Sequence, residues 1–466
     1  MNNLSWISHL FFLLASGGFV LCLKLLSSPK TARKGNVLGA LAMLLAVGAA
    51  LLQSPPAQEI IKGLAITIVA GCLVGIVAGR KIHMTAMPQL VAIFNGLGGA
   101  ASVLVSASEM TRWATLDSWQ ASPALALSCW ASAWIGSITF SGSFVAFGKL
   151  QGLLSSRPVL IPKGRLATLL LTALLLLTGV VSMKTPESLA LLALTVLAAE
   201  ILGVLLTLPI GGADMPVVIS LLNSYSGLAA LTCGFVINSP ILILAGSLVG
   251  ASGVILTRLM CQAMNRSLFN VVFGAFGAKT AQSTAVSHKT MKPFSPQDVA
   301  MLLHNSQRVM VVPGYGLAVS QGQRALRELA DLLKKHNIQV QYAIHPVAGR
   351  MPGHMNVLLA EVDVPYEDLC DLETSNPQFL NTDTTLIVGA NDVVNPSARD
   401  TPSSPLHGMP ILHADKSSNV IVFKRGEGLG FAGVDNPLFV ADNTHVVFGD
   451  AKASLTAVTT QLKELV

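Results

Sequence analysis

The chain has 466 residues, 52% of them hydrophobic and 12% charged, and a formal net charge of +6. That balance excludes a wholly water-soluble globular protein, for which about a quarter of the residues are usually charged. Acidic residues concentrate after about residue 295, whereas the first 265 positions hold long stretches almost without charge, so two bodies with different solvents are expected in one chain.

The opening MNNLSWISH has no positively charged region before its apolar run, and no small-residue cleavage site ends that run. It therefore reads as a retained span, not a signal peptide. Nine segments reach the roughly 20 apolar residues that a spanning helix needs: 5–26, 35–53, 60–79, 86–108, 122–148, 166–183, 187–208, 215–237 and 240–264. An odd count puts the two ends on opposite sides. The alternate loops carry Lys24, Lys30, Arg33 and Lys34, then Arg80 and Lys81, then Lys149, Arg157, Lys163 and Arg165, and finally Arg258 and Arg266. The opposite loops carry only Lys62, Arg112 and Lys184. Twelve basic residues against three place the amino terminus outside and the carboxyl-terminal domain in the cytoplasm.

Two of these segments echo each other. MPQLVAIFNGLGG (87–99) and MPVVISLLNSYSG (215–227) share Met-Pro, an Asn eight residues after the Met and a Gly twelve after it. Each precedes a segment containing Ser-Gly, at Ser141-Gly142 and Ser252-Gly253, so a parallel repeat is expected, of the kind that brackets a transport path. The polar run Asn223, Ser224, Tyr225 and Ser226 within an apolar span serves either helix packing or a water-filled path.

Residues 266–294, small and polar, read as a linker between a membrane domain (1–265) and a second domain (295–466). Ser295-Pro296 reads as a helix start. RVMVV, IQVQYAI, TTLIVGA and NVIVFKR then read as strands, LAVSQGQRALRELADLLKKHN as one helix, and a last helix is expected near 452–465. Short apolar strands alternating with helices predict a parallel, doubly wound sheet. The fold class is thus a polytopic α-helical membrane bundle followed by an α/β Rossmann-like domain. The six cysteines form no CxxC pair and read as small core fillers, with no metal site expected.

In VMVVPGYGLAV, Gly314, Gly316 and Val319 fill the GxGxxG/A pattern apart from Val at the third position, with Tyr315 and Ala318 between them. The motif follows a strand and opens a helix, the setting of a pyrophosphate turn. From Ile338 through Ala360 there is no acidic residue to bind a ribose 2′-OH, whereas Arg350, Lys424 and Arg425 suit a 2′-phosphate, so NADP is favoured over NAD. The glycine-rich GEGLGFAG (426–433) is placed to fold over a bound cofactor. In VGANDVVNP, Asn391 and Asp392 lie where a strand end meets the ligand crevice, and Asp392 either contacts the cofactor or braces its loop. GLGGA at 96–100 falls within a membrane helix, so no second dinucleotide fingerprint is present.

PGYGLAVSQ, HPVAGRMPGHMNVLLAEV, GANDVVNP, NVIVFKR, GFAGVDNPLF and FGDAKAS, with GGADMPVVISLLNSYSG and SGSFVAFGKL, resemble the beta subunit of the proton-translocating NAD(P) transhydrogenases over essentially the whole chain. The resemblance implies an enzyme of a bacterial inner membrane in which this chain binds NADP(H). A partner alpha subunit carries the NAD(H) site and further membrane helices, and hydride passes directly between the nicotinamides as protons move inward. It implies pyrophosphate contacts at Gly314, Gly316 and Val319, 2′-phosphate contacts at Lys424 and Arg425, nucleotide contacts at Arg350 and Asp392, and a lid at Gly430 and Phe431. It also implies that Asp214 links the helices to the nucleotide domain, and that Asn223 lines a proton path beside Ser252 and Gly253. A dimer of alpha-beta units in lipid is expected, and no nucleic acid.

Asn95 departs from the histidine found at this position in many relatives, and Asn cannot titrate. The relay then falls to a histidine of the partner chain or to Glu200, an intramembrane carboxylate, ahead of His9 and His83 near the membrane edges. Phe431 stands where Tyr is common. The rival reading is an NADP-regulated channel or transporter in which no hydride moves.

Overall fold

Long apolar runs closed by Pro, Gly or charge become helices because a backbone in hydrocarbon must satisfy its own hydrogen bonds. The computed structural model describes the whole chain except residues 1–2, 54–57, 83, 116–121, 156–157, 160, 186, 265–267, 269–289, 352, 403, 405, 431 and 466. Phe431, His83, Arg157, Arg266 and most of the expected 266–294 linker therefore lie outside the described residues.

Among the described residues nine helices are long and apolar enough to cross a membrane. They are α1 Asn3–Leu26, α2 Pro29–Gln53, α3 Gln58–Lys81, α4 Met87–Thr115, α5 Pro123–Gln151, α6 Gly164–Ser182, α7 Leu189–Thr207, α8 Met215–Val236 and α9 Pro240–Ala263. The expected boundaries fall close to these, with two differences. Helix α2 starts at Pro29 and takes Lys30, Arg33 and Lys34 into its first turns, and α4 runs on to Thr115. Both extensions are polar or charged ends, which apolarity alone does not register.

Helix α5 lies at the centre of its unit, packed against α4, α6, α7 and α8. The glycines that end the two echoed segments do the same work. A Cβ on Gly99 would lie 2.5 Å from Gly136 O of α5, and one on Gly227 would lie 2.3 Å from Gly250 N of α9. Each Met-Pro helix thus crosses its successor backbone to backbone, a contact open only to very small residues. Helix α3, by contrast, buries no residue. It carries Cys72, which is exposed and so corrects the reading of all six cysteines as core fillers.

The C-terminal residues form a separate compact unit. It contains α10 (Pro296–His304), β1 (Arg308–Pro313), α11 (Tyr315–Val319), α12 (Gln323–Lys335), β2 (Gln339–Ala343), α13 (His354–Ala360), β3 (Leu369–Cys370), β4 (Thr384–Val388), β5 (Asn419–Lys424), β6 (Thr444–Phe448) and α14 (Ala451–Leu465). Ser295 and Asp298 form a reciprocal capping box at the start of α10. The sheet order is β3-β2-β1-β4-β5-β6, and every pair is parallel. This is the doubly wound dinucleotide order, with its switch point between β1 and β4. Val311, Tyr342, Leu386 and Ile421 are fully buried along the four central strands, as a sheet covered on both faces requires.

Two sequence expectations are corrected here. The single helix expected over 317–337 is broken by Ser320–Gly322, where Gln321 takes φ 51°, leaving a five-residue α11 and an amphipathic α12. Strands β3 and β6 were not expected: β3 has two residues, and THVVF carries a His in a mostly apolar run. Within HPVAGRMPGHMNVLLAEV the segment after Gly353 is helical, burying His354, Met355, Leu358 and Leu359 on one face. At the near end of the expected linker, Val446 N–H donates to Lys292 O and Phe294 N–H donates to Val446 O, so residues 292–294 lie along the outer edge of β6.

Candidate functional site

The carboxyl ends of β1, β4, β5 and β6 open into one pocket of about 450 Å³. Gly314, Tyr315, Gly316 and Val319 line it after β1, Asn391 and Asp392 after β4, Lys424, Arg425 and Gly430 after β5, and Gly449 and Ala451 after β6. Ala318 lies behind the wall, 1% exposed. Three of the loops singled out in the sequence, after β1, β4 and β5, meet here because a parallel sheet delivers the ends of all its strands to one edge.

The two fingerprint glycines have a specific local task. Gly314 N–H donates to Val388 O and Gly316 N–H to Gly389 O, both at 2.9 Å. A Cβ on Gly314 would lie 2.4 Å from Gly389 O, and one on Gly316 would lie 2.7 Å from Gly389 Cα. Gly389 itself takes φ +70°, a left-handed conformation that Gly adopts without penalty. The glycines thus let the β1 and β4 loops touch at the switch point. Their own amides are engaged there with Val388 O and Gly389 O.

Positive charge lines the pocket at Lys424 and Arg425 and stands behind Tyr315 at Arg350. The Arg350 guanidinium stacks 4.3 Å above the Tyr315 ring, and Arg350 N–H donates to His354 Nδ1 at 3.0 Å. Lys424 Nζ sits 4.8 Å over the Phe439 ring, and partial burial holds its pKa below the ordinary lysine value. Arg425 is mostly exposed and faces Asp450 at 3.9 Å. A half-desolvated ammonium beside an exposed guanidinium favours a polyanion over a neutral hydroxyl.

The glycine-rich segment is fastened to the β4 loop. Ala432 N–H donates to Asp392 Oδ2 at 3.0 Å, and a Cβ on Gly430 would fall 2.1 Å from Asp392 Oδ1. Of the two roles open to Asp392, bracing its neighbouring loop is therefore visible. Phe439 also lines this pocket, and Asn436 stands behind it on Asn391; neither carried a sequence signal beyond standing in DNPLF. His345, 2% exposed, bridges Pro410 O through Nε2 and accepts from Val347 N–H through Nδ1. Burial pushes its pKa down to about 4, so the ring is neutral near pH 7.

The membrane unit holds a second polar constellation. Asn95 is 7% exposed. Its Nδ2 donates to Ser143 Oγ at 2.9 Å, and its Oδ1 accepts from Ser226 Oγ at 2.6 Å. The LNSYSG run spreads around α8, because successive helical residues turn by about 100°. Ser224 Oγ donates to Gly250 O of α9, Tyr225 packs on the cluster around Ile138, Leu175 and Leu202, and Ser226 meets Asn95. Asn223 is half-buried. Gly253 abuts Ser224, since its Cβ would lie 2.9 Å from the Ser224 Cα, whereas Ser252 Oγ turns back to Val249 O. Glu200, half-buried on α7, is hydrogen-bonded to Ser141 of α5.

Two residues near the end of this constellation lie at its border. Asp214 closes the turn Gly212–Asp214 that leads into α8. Lys149, counted in the sequence as a loop charge, is 2% exposed and donates to Ile210 O at 2.7 Å as well as to Leu208 O. It thereby ties the end of α5 to the segment ahead of Asp214.

The family model described as NAD(P) transhydrogenase beta subunit matches residues 8–461. The chain belongs to this family. Two matching relatives, both named NAD(P) transhydrogenase subunit beta and both from Rhodospirillum rubrum, are 47% identical to it over 449 residues, covering 95% of this chain and 96% of theirs. Membership in the transhydrogenase beta subunit family implies a membrane-bound oxidoreductase that uses NAD(H) and NADP(H) and works with an alpha subunit.

Proposed function

We propose that this chain binds NADP(H) in the pocket at the β1–β4 switch point and exchanges hydride with NAD(H) held by the alpha subunit, coupled to inward proton movement through the helices. The observation that carries the reading is the meeting of Lys424 and Arg425 on a crevice built by the GYG turn of a doubly wound sheet, with Arg350 stacked on Tyr315 of that turn. Lys424 and Arg425 hold the 2′-phosphate. Arg350, braced on Tyr315, takes a second phosphate charge. The nicotinamide supplies the hydride chemistry, while Gly430, Phe431 and Asp392 close over the cofactor and keep water out.

In the membrane unit, Asn95, Asn223, Ser226 and the Ser252-Gly253 pair of α9 border the proton route, with Asp214 at its inner end. Asn95 positions the route without titrating, and Glu200 is the candidate relay within this chain. Occupancy of the NADP(H) site and proton affinity in the bundle must influence each other equally, because linkage is reciprocal. The division into 1–265, 266–294 and 295–466, an outside amino terminus, a cytoplasmic nucleotide domain and a dimer of alpha-beta units in a bacterial inner membrane complete the proposal.

The test is to reconstitute this chain with its alpha subunit in sealed vesicles and follow NADH-dependent reduction of an NADP analogue and internal pH together. Reduction with proton movement, faster under an imposed gradient, is the expected result. Reduction without proton movement would leave the bundle as an anchor, and tight NADP binding without reduction would indicate a nucleotide-regulated channel. Normal pumping after replacing Glu200 would move the relay to a histidine of the alpha subunit.

A further inference from the structure

After Lys424 the chain lines the pocket through Arg425, Gly428, Leu429 and Gly430. Gly426, Gly428 and Gly433 have open space where a side chain would be, and Leu429 is 55% exposed. Among its described residues the segment is held by Asp392 at Ala432 and Gly430, and beyond that at its ends. Its first end is β5. Its far end is Asn436, only 8% exposed, whose carboxamide makes three hydrogen bonds.

Local chemistry fixes that carboxamide. Pro437 restricts Asn436 to extended backbone, and it is found at φ −109°, ψ 106°. Leu438 N–H then returns to Asn436 Oδ1 at 3.0 Å. With its oxygen held, the amide can present only Nδ2 to the β4 loop. There it donates to Asn391 O and Asn391 Oδ1, each at 3.1 Å. A reciprocal bond from Asn395 Nδ2 to Asp435 O, at 3.1 Å, fastens the preceding residue to the same loop. Asn391 lines the pocket and Asp392 beside it accepts Ala432 N–H.

We propose that Asn436 is a positioning residue that latches the 426–433 segment to the Asn391–Asp392 loop and so sets how fast NADP(H) leaves. This rests on the reading of the pocket as the NADP(H) site. Asn436 acts through Asn391 and does not itself line the pocket.

The chemistry of the latch dictates the variants. Asn436→Asp can still accept from Leu438 N–H but offers a carboxylate to two acceptor oxygens, turning two attractions into repulsion. Asn436→Ala removes the bonds without repulsion. NADPH release would be timed by stopped-flow fluorescence on the complete alpha-beta enzyme, with excess NADP as displacer. Two neutral hydrogen bonds correspond to about a tenfold change in rate, so N436A is expected to release NADPH about tenfold faster and N436D faster still. The KM for NADH should stay within twofold. In a cycle with N391A, which removes the Oδ1 acceptor and keeps the backbone one, the double variant N391A/N436A should release NADPH more slowly than the product of the two single effects, a non-additivity that general loosening of the domain would not produce.

Wild-type release rates in N436D and N436A, or effects of N391A and N436A that simply multiply, would overturn the proposal. If N436D does not fold, the N436A cycle decides alone. Absence of NADPH binding by the wild-type enzyme would overturn the pocket reading and this proposal with it, whereas binding with unaltered release in the variants would remove only the latch.

Discussion

Ser226 of α8 donates its hydroxyl to Asn95 Oδ1 of α4 at 2.6 Å, and Asn95 Nδ2 passes a bond on to Ser143 of α5 at 2.9 Å. Three helices are thus tied by one non-titrating amide at the place where the two echoed segments meet. Removing one bond of this kind between membrane helices costs about 0.6 kcal/mol, and up to about 1.7.

Asn95→Leu removes both bonds while nearly preserving volume. On the proposed mechanism, coupled turnover should fall at least about tenfold while the Kd for NADPH stays within twofold. Parallel measurement of proton movement in vesicles and of NADPH binding checks this. Unchanged pumping would show that the triad only packs the helices.

The glycine crossings give a stability prediction. Gly99→Ala places a methyl 2.5 Å from Gly136 O, so α4 and α5 must separate, at a cost of about 1–3 kcal/mol. Gly71→Ala on α3, where nothing lies within 4 Å, should be neutral or slightly stabilising. Thermal unfolding in detergent ranks the two, and equal midpoints would contradict the crossing.

In the nucleotide domain, Gly430→Ala drives a methyl into Asp392 Oδ1, whereas Gly428→Ala meets open space. Titration with NADPH should show affinity weakened about tenfold or more for the first and changed less than about twofold for the second.

Lys424→Gln removes a charge-assisted contact worth about 1.5–3 kcal/mol, or about 10- to 150-fold in affinity. The loss should fall on NADP(H) and spare any residual binding of NAD(H), which lacks the 2′-phosphate. A uniform loss for both nucleotides would place Lys424 elsewhere on the cofactor.

His345 sets an acid limit on the domain. Burial pushes its pKa down to about 4, below the roughly 6.5 of an unfolded histidine. Between these values the unfolded chain takes up a proton that the folded site refuses. Stability is therefore full above about pH 6.5 and declines as the pH falls toward 4, by roughly 3 kcal/mol at the lower end. His354, whose pKa burial and Arg350 also depress, adds in the same direction. Replacing His345 by Asn should flatten the pH dependence of the domain's unfolding midpoint between pH 6.5 and 4.5, and an unchanged slope would assign the acid sensitivity to other groups.

Much of the architecture was legible because its signals are local. Apolar length alone located nine helices, since the bilayer fixes how many residues a span needs. Gly314, Gly316, Asn391, Asp392, Lys424 and Arg425 were legible as a site because each follows an apolar strand, and parallel topology sends those strand ends to one edge. The break at Gln321 was not legible, because an amphipathic run after GYG fits one helix as well as two. Strand β3 was too short to leave a pattern, and β6 became a strand by pairing with β5.

By itself the sequence determined which segments enter the membrane, which form the four central strands of the sheet, and that no second nucleotide fingerprint is present, because hydropathy, periodicity and turn chemistry act over neighbouring residues. Tertiary structure alone decided which polar groups meet: Ser226, not Asn223, faces Asn95, Gly314 and Gly316 press against Gly389, and Asn436 reaches Asn391. Such pairs lie 45 to 131 positions apart in the last and first cases, and their geometry follows from helix crossings and strand order that no local pattern encodes.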